Sequence, residues 1–187
     1  MDYKVLKEEY VYEGFLKIKK ADVQHDIFQS SKPRTSTLES LERGDSVAIL
    51  LYEKDTKSFL FVNQFRYPTI ENDSGWLLEI VAGGIEKDED PESCAKREVE
   101  EEIGYVVKQL HFISNFYVSP GGTSERIFLY HAEVNSIDQK KEAGGTDSED
   151  IQLVKLSKES VRELMQKNLI NDGKTLMALQ YYFIKNQ

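Results

Sequence analysis

The sequence predicts an α/β fold in which a mixed sheet is covered by helices on both faces, preceded by a few antiparallel strands. Three observations support this prediction. Short apolar runs with a two-residue period alternate with segments of helical pattern. Strands and helices are interleaved along the chain, which favours a layered α/β arrangement. The 187 residues, of which 40% are hydrophobic, are enough to bury a core.

The first 42 residues predict strands with little apolar content. Polar and apolar residues alternate around 3–5, 15–18 and 35–41, and a turn is expected at 29–33. Because these strands have few apolar side chains, we expect their sheet to need a partner surface. The predicted domains are a strand region at 1–43, which forms a homodimer, and a main domain at 44–187.

The main domain is predicted to alternate strands with helices. The strands are expected at 46–52 and 58–65, which form a hairpin, and at 76–81, 106–118, 126–134 and 151–156. Two final helices are expected at 158–167 and 174–184. A strongly acidic segment lies between the third and fourth strands.

This acidic segment, residues 83–105, has the sequence GGIEKDEDPESCAKREVEEEIGY, with nine acidic and three basic residues. Asp90 is a good N-cap, Pro91 suits a first helical turn, and Gly104 can adopt the left-handed conformation that ends a helix. The segment therefore predicts a helix between Asp90 and Gly104. Its apolar stripe, which would pack on the core, consists of Ala95, Val99 and Ile103.

Three glutamates gather on one side of this predicted helix. Glu101 and Glu102 follow Glu98 by three and four residues, so their Cβ atoms lie roughly 5–6 Å from that of Glu98. Like charges at this spacing destabilise an isolated helix, and a divalent cation would compensate for them. Carboxylate oxygens are the ligands that Mg²⁺ prefers. The alternative is a solvated acidic helix face, since charge runs usually indicate exposure.

The segment resembles the signature of the Nudix hydrolases, G-x5-E-x7-R-E-U-x-E-E-x-G-U, where U is an apolar or aromatic residue. The matching positions are Gly83, Glu89, Arg97, Glu98, Val99, Glu101, Glu102, Gly104 and Tyr105. The resemblance implies the Nudix α/β/α sandwich and the hydrolysis of a diphosphate linked to another group.

The resemblance also implies roles for individual residues. Glu98, Glu102 and the backbone carbonyl of Ala82 would bind Mg²⁺, for which Mn²⁺ can substitute. Arg97 and Glu101 would hold the loop and the helix in shape or touch a second ion.

A glutamate is expected to accept the proton of the attacking water. Glu149 is the first choice, as base and as a further metal ligand, because residues 144–151 resemble the mobile acidic loop that brings a glutamate over the metal ions. Glu125, which follows a Ser-Pro-Gly-Gly turn, is the second choice. The products would be a nucleoside monophosphate and a sugar phosphate.

Three further stretches resemble the branch of the family that acts on nucleoside diphosphate sugars, of the ADP-ribose and GDP-mannose type. They are Ser-Pro-Gly-Gly at 119–122, Asn-Gln-Phe-Arg at 63–66 and the acidic loop at 144–151, taken together with Asp-Gly-Lys-Thr at 172–175. The implied substrate contacts are Phe15, Arg66, Glu79, Pro120 and Gly121. A plain turn at 119–122 and an inward-facing position for Phe15 are open alternatives. Leu38 and Asn63 stand where relatives carry arginine, which leaves the preferred base and sugar open.

Charge and composition exclude other classes. The net charge of −9 argues against a nucleic-acid or membrane-surface binder. Cys94 is the only cysteine, so no intramolecular disulfide can form, which suits a reducing cytoplasm. The first ten residues lack the apolar stretch of a signal peptide. His25, His111 and His131 show no spacing typical of a zinc site or a Ser-His-Asp triad.

Two functions of other classes compete with the enzyme. A Nudix fold could sense a sugar nucleotide without cleaving it, or an acidic helix could belong to a structural oligomer. The full set of Glu98, Glu101 and Glu102 favours the enzyme, because a sensor has no need of all three.

Overall fold

The computed structural model describes residues 1–28, 30–144 and 150–186. The chain divides into two compact units. One contains Met1–Asp45 and Phe116–Arg126, and the other contains Ser46–Asn115 and Ile127–Gln187. No helix in the described parts of the chain combines the length and the apolar character that crossing a membrane requires.

The first unit contains a three-stranded antiparallel sheet, which was predicted. Its strands are β1 (Tyr3–Glu13), β2 (Lys17–Ile27) and β3 (Ser30–Glu42), in the order β1-β2-β3. The turn expected at 29–33 is wrong in extent, because Ser30 to Pro33 belong to β3. Proline is tolerated there because β3 is an edge strand and its pairing with β2 is irregular between His25 and Ile27.

The second unit contains a mixed seven-stranded sheet. Its strands are β4 (Ser46–Glu53), β5 (Ser58–Phe65), β6 (Trp76–Glu79), β7 (Val81–Gly84), β8 (His111–Tyr117), β9 (Arg126–Val134) and β10 (Ile151–Ser157). The main order is β10-β5-β4-β9-β8, with β6 paired to β5 and β7 paired to β4. Strand β4 runs antiparallel to β5 and β7 and parallel to β9. The expected hairpin of β4 and β5 is confirmed.

Helices cover both faces of β4, which confirms the α/β sandwich. The helices are α1 (Pro91–Ile103), α2 (Lys158–Gln166) and α3 (Gly173–Lys185). Val47 and Ile49 belong to one buried cluster with Ala95 and Val99 of α1. Tyr52 is an odd number of residues away from Val47 and Ile49, so its side chain lies on the opposite face of β4. Its ring centroid is 5.7 Å from that of Tyr182 in α3.

Two predicted strands differ from the structure. The strand expected at 76–81 is two strands, β6 and β7, because the chain changes pairing partner at Ile80. The strand expected at 106–118 begins only at His111. Before that point the backbone bonds to another segment, since the Val106 N–H donates to the Asp138 carbonyl at 3.0 Å.

Candidate active site

Helix α1 begins and ends as the sequence predicts. The Asp90 side chain accepts hydrogen bonds from the N–H groups of Glu92 and Ser93 at 3.0 and 3.1 Å. Gly104 has φ 75°, the left-handed conformation that ends a helix without strain at a glycine. The predicted stripe of Ala95, Val99 and Ile103 is fully buried. The helix is therefore fixed at both ends and along its core-facing side.

The Glu98 carboxylate lies directly against the backbone of Gly83. A Cβ atom at Gly83 would be 2.0 Å from Glu98 Cδ and 2.2 and 2.3 Å from its two oxygens. Gly83 follows Ala82 in β7, where both residues pair with β4. A side chain at position 83 would therefore displace the Glu98 carboxylate, which lies next to the Ala82–Gly83 backbone.

Arg97 joins the loop to the helix through several hydrogen bonds. It donates to Glu89 at 2.9 and 3.0 Å and to the Gly84 carbonyl at 3.2 Å. It also donates to Glu98 at 2.7 Å and to Glu101 at 2.9 Å. The hydrogen bonds from Arg97 lower the pKa of Glu89 to about 2, and Glu89 in turn raises the pKa of Arg97. Glu89 and Arg97 therefore stay charged at neutral pH.

Glu102 lies four residues after Glu98 on α1 and is only 4% exposed. Its backbone carbonyl accepts a hydrogen bond from the Gly144 N–H at 3.0 Å, which ties this end of the helix to a later loop. Within residues 1–28, 30–144 and 150–186, no three His, Cys, Asp or Glu side chains are arranged to hold a metal ion.

Cys94 lies on the buried side of α1. Its Sγ donates to the Gly84 carbonyl at 3.3 Å. Burial raises the pKa of the Cys94 thiol to about 12, and the charge of Glu89 adds to the shift. The thiol is therefore protonated at neutral pH and is a poor nucleophile.

Arg66 and Glu79, both predicted to contact substrate, form a two-pronged ion pair. Arg66 donates from Nε and Nη2 to the Glu79 carboxylate at 2.7 and 3.2 Å. Lys174 also donates to Glu79, which is 2% exposed. Burial alone would raise the pKa of Glu79, but Arg66 and Lys174 hold it below its usual value.

The first turn of α3 also holds the backbone near Glu79, a feature that the sequence analysis missed. Thr175 Oγ1 accepts a hydrogen bond from the Ile80 N–H at 2.9 Å. Asp172 is the N-cap of α3 and accepts from the Thr175 N–H at 3.1 Å. The sequence offered a signal for the cap alone, because aspartate is a preferred N-cap residue. The contact of Thr175 with Ile80 joins residues 95 apart and required the fold.

Phe15 belongs to the first unit and lies in the bend between β1 and β2. Its side chain is 97% exposed, so the inward-facing alternative is wrong. Trp76 is 48% exposed and packs edge-on against Phe65 with centroids 5.7 Å apart.

Pro120 and Gly121 occupy a turn of the first unit. The turn is closed by hydrogen bonds from the N–H groups of Gly122 and Thr123 to the Ser119 carbonyl, at 2.9 and 3.0 Å. The plain-turn alternative therefore describes the local backbone, and a contact with substrate there stays a prediction.

Of the two glutamates predicted as base, one lies in the described residues. Glu125, in the first unit, is buried, and its carboxylate is 3.7 Å from Arg43 Nε. Glu149 lies outside the described residues. Its predicted roles as base and metal ligand therefore stay predictions.

Two of the three histidines come together in the second unit. The rings of His111 and His131 are stacked with centroids 6.1 Å apart, and His131 also contacts the Tyr182 ring at 5.4 Å. Their sequence separation gave no sign of this pairing.

Comparisons with known proteins agree with this architecture. The model of the NUDIX domain matches residues 42–179. The chain is 35% identical over 185 residues to the ADP-ribose pyrophosphatase of Haemophilus influenzae, an alignment covering 96% of this chain and 85% of that protein. It is 38% identical over 149 residues to the GDP-mannose pyrophosphatase of Pectobacterium atrosepticum, covering 79% and 77%.

A solved structure has the same fold. The crystal structure of an ADP compounds hydrolase superposes with a TM-score of 0.75 at 18% identity, covering 100% of this chain and 96% of that one. Together with the match to the family model over most of the chain, these comparisons show that the protein belongs to the Nudix family of hydrolases.

Proposed function

We propose that this protein hydrolyses the diphosphate bond of a nucleoside diphosphate sugar of the ADP-ribose or GDP-mannose type, giving a nucleoside monophosphate and a sugar phosphate. The observation that carries the proposal is the Glu98 carboxylate held against Gly83, beside the Ala82 backbone. The names of the H. influenzae and P. atrosepticum relatives support this substrate class.

Mg²⁺ is the proposed cofactor, with Mn²⁺ as a substitute. Glu98, Glu102 and the Ala82 carbonyl would hold it, and this donor set fits the ion. Mg²⁺ in enzymes that act on phosphates usually takes one or two carboxylates, with waters and substrate oxygens completing the shell. When bound, Mg²⁺ neutralises charge, polarises the phosphorus and lowers the pKa of a water.

Arg97 positions the acidic side chains for this task. It binds Glu98 and Glu101 at once, so both carboxylates keep a fixed orientation. Its bonds to Glu89 and Gly84 tie the loop to the same point. We propose that Glu101 serves with Arg97 in this arrangement and that either Glu149 or Glu125 accepts the proton from water.

Substrate recognition is proposed for the five residues that the resemblance implies. Arg66 has the paired donors that suit phosphate oxygens, and Glu79 fixes the direction of its guanidinium. The exposed ring of Phe15 is suited to stacking on a base. Pro120 and Gly121 would contribute through their turn.

We also propose a homodimer, formed through the strand region at 1–43. Every residue of β1 is exposed, including Tyr3 at 77% and Val5 at 44%. Val5 pairs with Val23, so apolar side chains continue across the same face of the sheet. Exposed apolar surface of this kind favours a protein partner. The cytoplasm is the proposed location, because the single cysteine, Cys94, leaves no intramolecular disulfide.

The test compares substrates directly. Purified protein is given ADP-ribose, GDP-mannose or a nucleoside triphosphate with Mg²⁺, and the products are separated by ion exchange. We expect a nucleoside monophosphate and a sugar phosphate from one of the sugar nucleotides, little reaction with the triphosphate, and no reaction in EDTA. Tight binding of a sugar nucleotide with no release of monophosphate would instead indicate a sensor.

A further inference from the structure

The chain changes its neighbour in the sheet at one buried residue, Ile80. Glu79, at the end of β6, pairs with Val62 of β5, whereas Val81, at the start of β7, pairs with Ile49 of β4. Ile80 is fully buried, and its N–H donates to the Thr175 side chain at 2.9 Å. A buried N–H that lost this partner would carry a desolvation penalty, so the hydroxyl fixes the backbone where the strand changes sides.

The Thr175 hydroxyl is itself held in one orientation. Thr175 is fully buried, and its Oγ1–H donates to Asp172 Oδ2, which also accepts from the Thr175 N–H. The hydroxyl therefore donates to the N-cap of α3 and accepts from the sheet. A side chain without a hydroxyl would break both bonds.

The same turn of α3 holds the residue before Ile80. Lys174 Nζ donates to the Glu79 carboxylate and lies 3.0 Å from Asp172 Oδ1. Glu79 and Ile80 are thus held by consecutive residues of one helical turn, one through its side chain and the other through its backbone. This double contact exceeds what a helix cap alone requires.

The backbone fixed at Ile80 leads directly into the proposed metal site. Ala82 is two residues further on, and the next residue, Gly83, carries the contact with the Glu98 carboxylate. We propose that Thr175 is a positioning residue for the reaction, which sets the Ala82 carbonyl and Gly83 relative to Glu98. This inference rests on the proposed function, because it concerns the same metal site.

The first test uses Thr175→Val, which keeps the shape of the side chain and removes the hydroxyl, beside Thr175→Ser, which keeps the hydroxyl. Mn²⁺ binding is measured by electron paramagnetic resonance without substrate. We expect the valine variant to raise the Mn²⁺ dissociation constant about tenfold, as losses of supporting hydrogen bonds at metal sites do, and the serine variant to stay within about twofold of wild type.

The second test does not depend on metal or activity. Amide hydrogen exchange is measured at residues 80–83 in each variant. We expect faster exchange there in Thr175→Val and wild-type exchange in Thr175→Ser. If Thr175→Val does not fold, Thr175→Ala and Thr175→Ser replace the pair, since both lose the methyl group and only one loses the hydroxyl.

A matched control separates positioning from general stability. Ser157 caps α2 by accepting from the Ser160 N–H at 3.1 Å and makes no contact with residues 79–83 in the bonds described. Ser157→Ala should lower the melting temperature and leave Mn²⁺ affinity and exchange at 80–83 unchanged. Unchanged exchange and Mn²⁺ affinity in a folded Thr175→Val would overturn the inference. If the wild type cleaves no sugar nucleotide, the proposed function is wrong. The amide hydrogen exchange at residues 80–83 then decides on its own whether Thr175 fixes this backbone.

Discussion

Helix α1 and strand β1 are both rich in charge, but they differ in how their side chains are packed. In α1, the charged side chains that border the core are held within the chain, as Arg97 shows with Glu89, Glu98 and Glu101. In β1, every residue is exposed, including the apolar Val5 and Tyr12. Helix α1 is thus held by ion pairs within the chain, whereas the side chains of β1 are exposed to solvent. This comparison between α1 and β1 leads to predictions that experiments can contradict.

The largest expected effect comes from removing a proposed metal ligand. Glu102→Gln keeps the size of a buried side chain and removes its charge. We expect turnover at fixed Mg²⁺ to fall at least about a hundredfold, since a direct ligand should matter more than its supporting bonds. The control is Glu100→Gln on the exposed side of the same helix, which should retain activity. Near-wild-type rates for Glu102→Gln would remove Glu102 from the site.

The next effect separates two adjacent glycines. Gly83→Ala would place a methyl group 2.0 Å from Glu98 Cδ, so the carboxylate must move. We expect kcat/KM and Mn²⁺ affinity to fall about tenfold or more. At Gly84, a Cβ atom has nothing within 4 Å, so Gly84→Ala is the matched control and should stay close to wild type. Equal behaviour of the two variants would contradict the close contact as the reason for Gly83.

A third prediction concerns the sheet of the first unit. Val5→Glu puts a carboxylate on the face where Val5 pairs with Val23. We expect the dimer dissociation constant to rise at least about tenfold, because an unpaired buried charge costs more than the roughly 1.4 kcal/mol of that change. Size exclusion with light scattering measures it. Lys4→Glu, on the opposite face, is the control, and a wild type that is monomeric at micromolar concentration would refute the dimer.

The smallest effect is the pH dependence of His131. Burial lowers its pKa, Glu133 opposes the shift, and His111 adds to it. Below about pH 6.5 the unfolded chain therefore takes up a proton that the native state does not. The stability that comes from keeping His131 neutral in the native state is fully present above about pH 6.5 and is lost as the pH falls through the native pKa. Melting temperatures of His131→Gln should decline less on acidification than those of wild type, and parallel declines would contradict this.

Local signals in the sequence predicted the elements that depend on neighbouring residues. The cap at Asp90 and the left-handed Gly104 indicate α1, and two strongly apolar runs on either side of a charged turn indicate the hairpin of β4 and β5. The break at Ile80 could not be predicted, because apolar residues continue through it and the partner that holds it, Thr175, is 95 residues away.

Long-range polar contacts were missed for the same reason. The fully buried Glu53 accepts from Tyr105 at 2.5 Å and from Lys155 at 2.9 Å, although these residues come from distant segments. The signature specifies only an apolar or aromatic residue at Tyr105, so its hydroxyl gave no indication of this bond. Likewise, the motif indicated that Arg97 and Glu98 matter, whereas the contact of Glu98 with Gly83 required the fold.

The most direct test of the account is the anomalous diffraction of Mn²⁺ in crystals soaked with a non-hydrolysable sugar nucleotide analogue. We expect an Mn²⁺ peak about 2.1 Å from oxygens of Glu98, Glu102 and the Ala82 carbonyl, shared with the diphosphate. A site without anomalous signal, with the two carboxylates turned towards solvent and the analogue bound elsewhere, would contradict it.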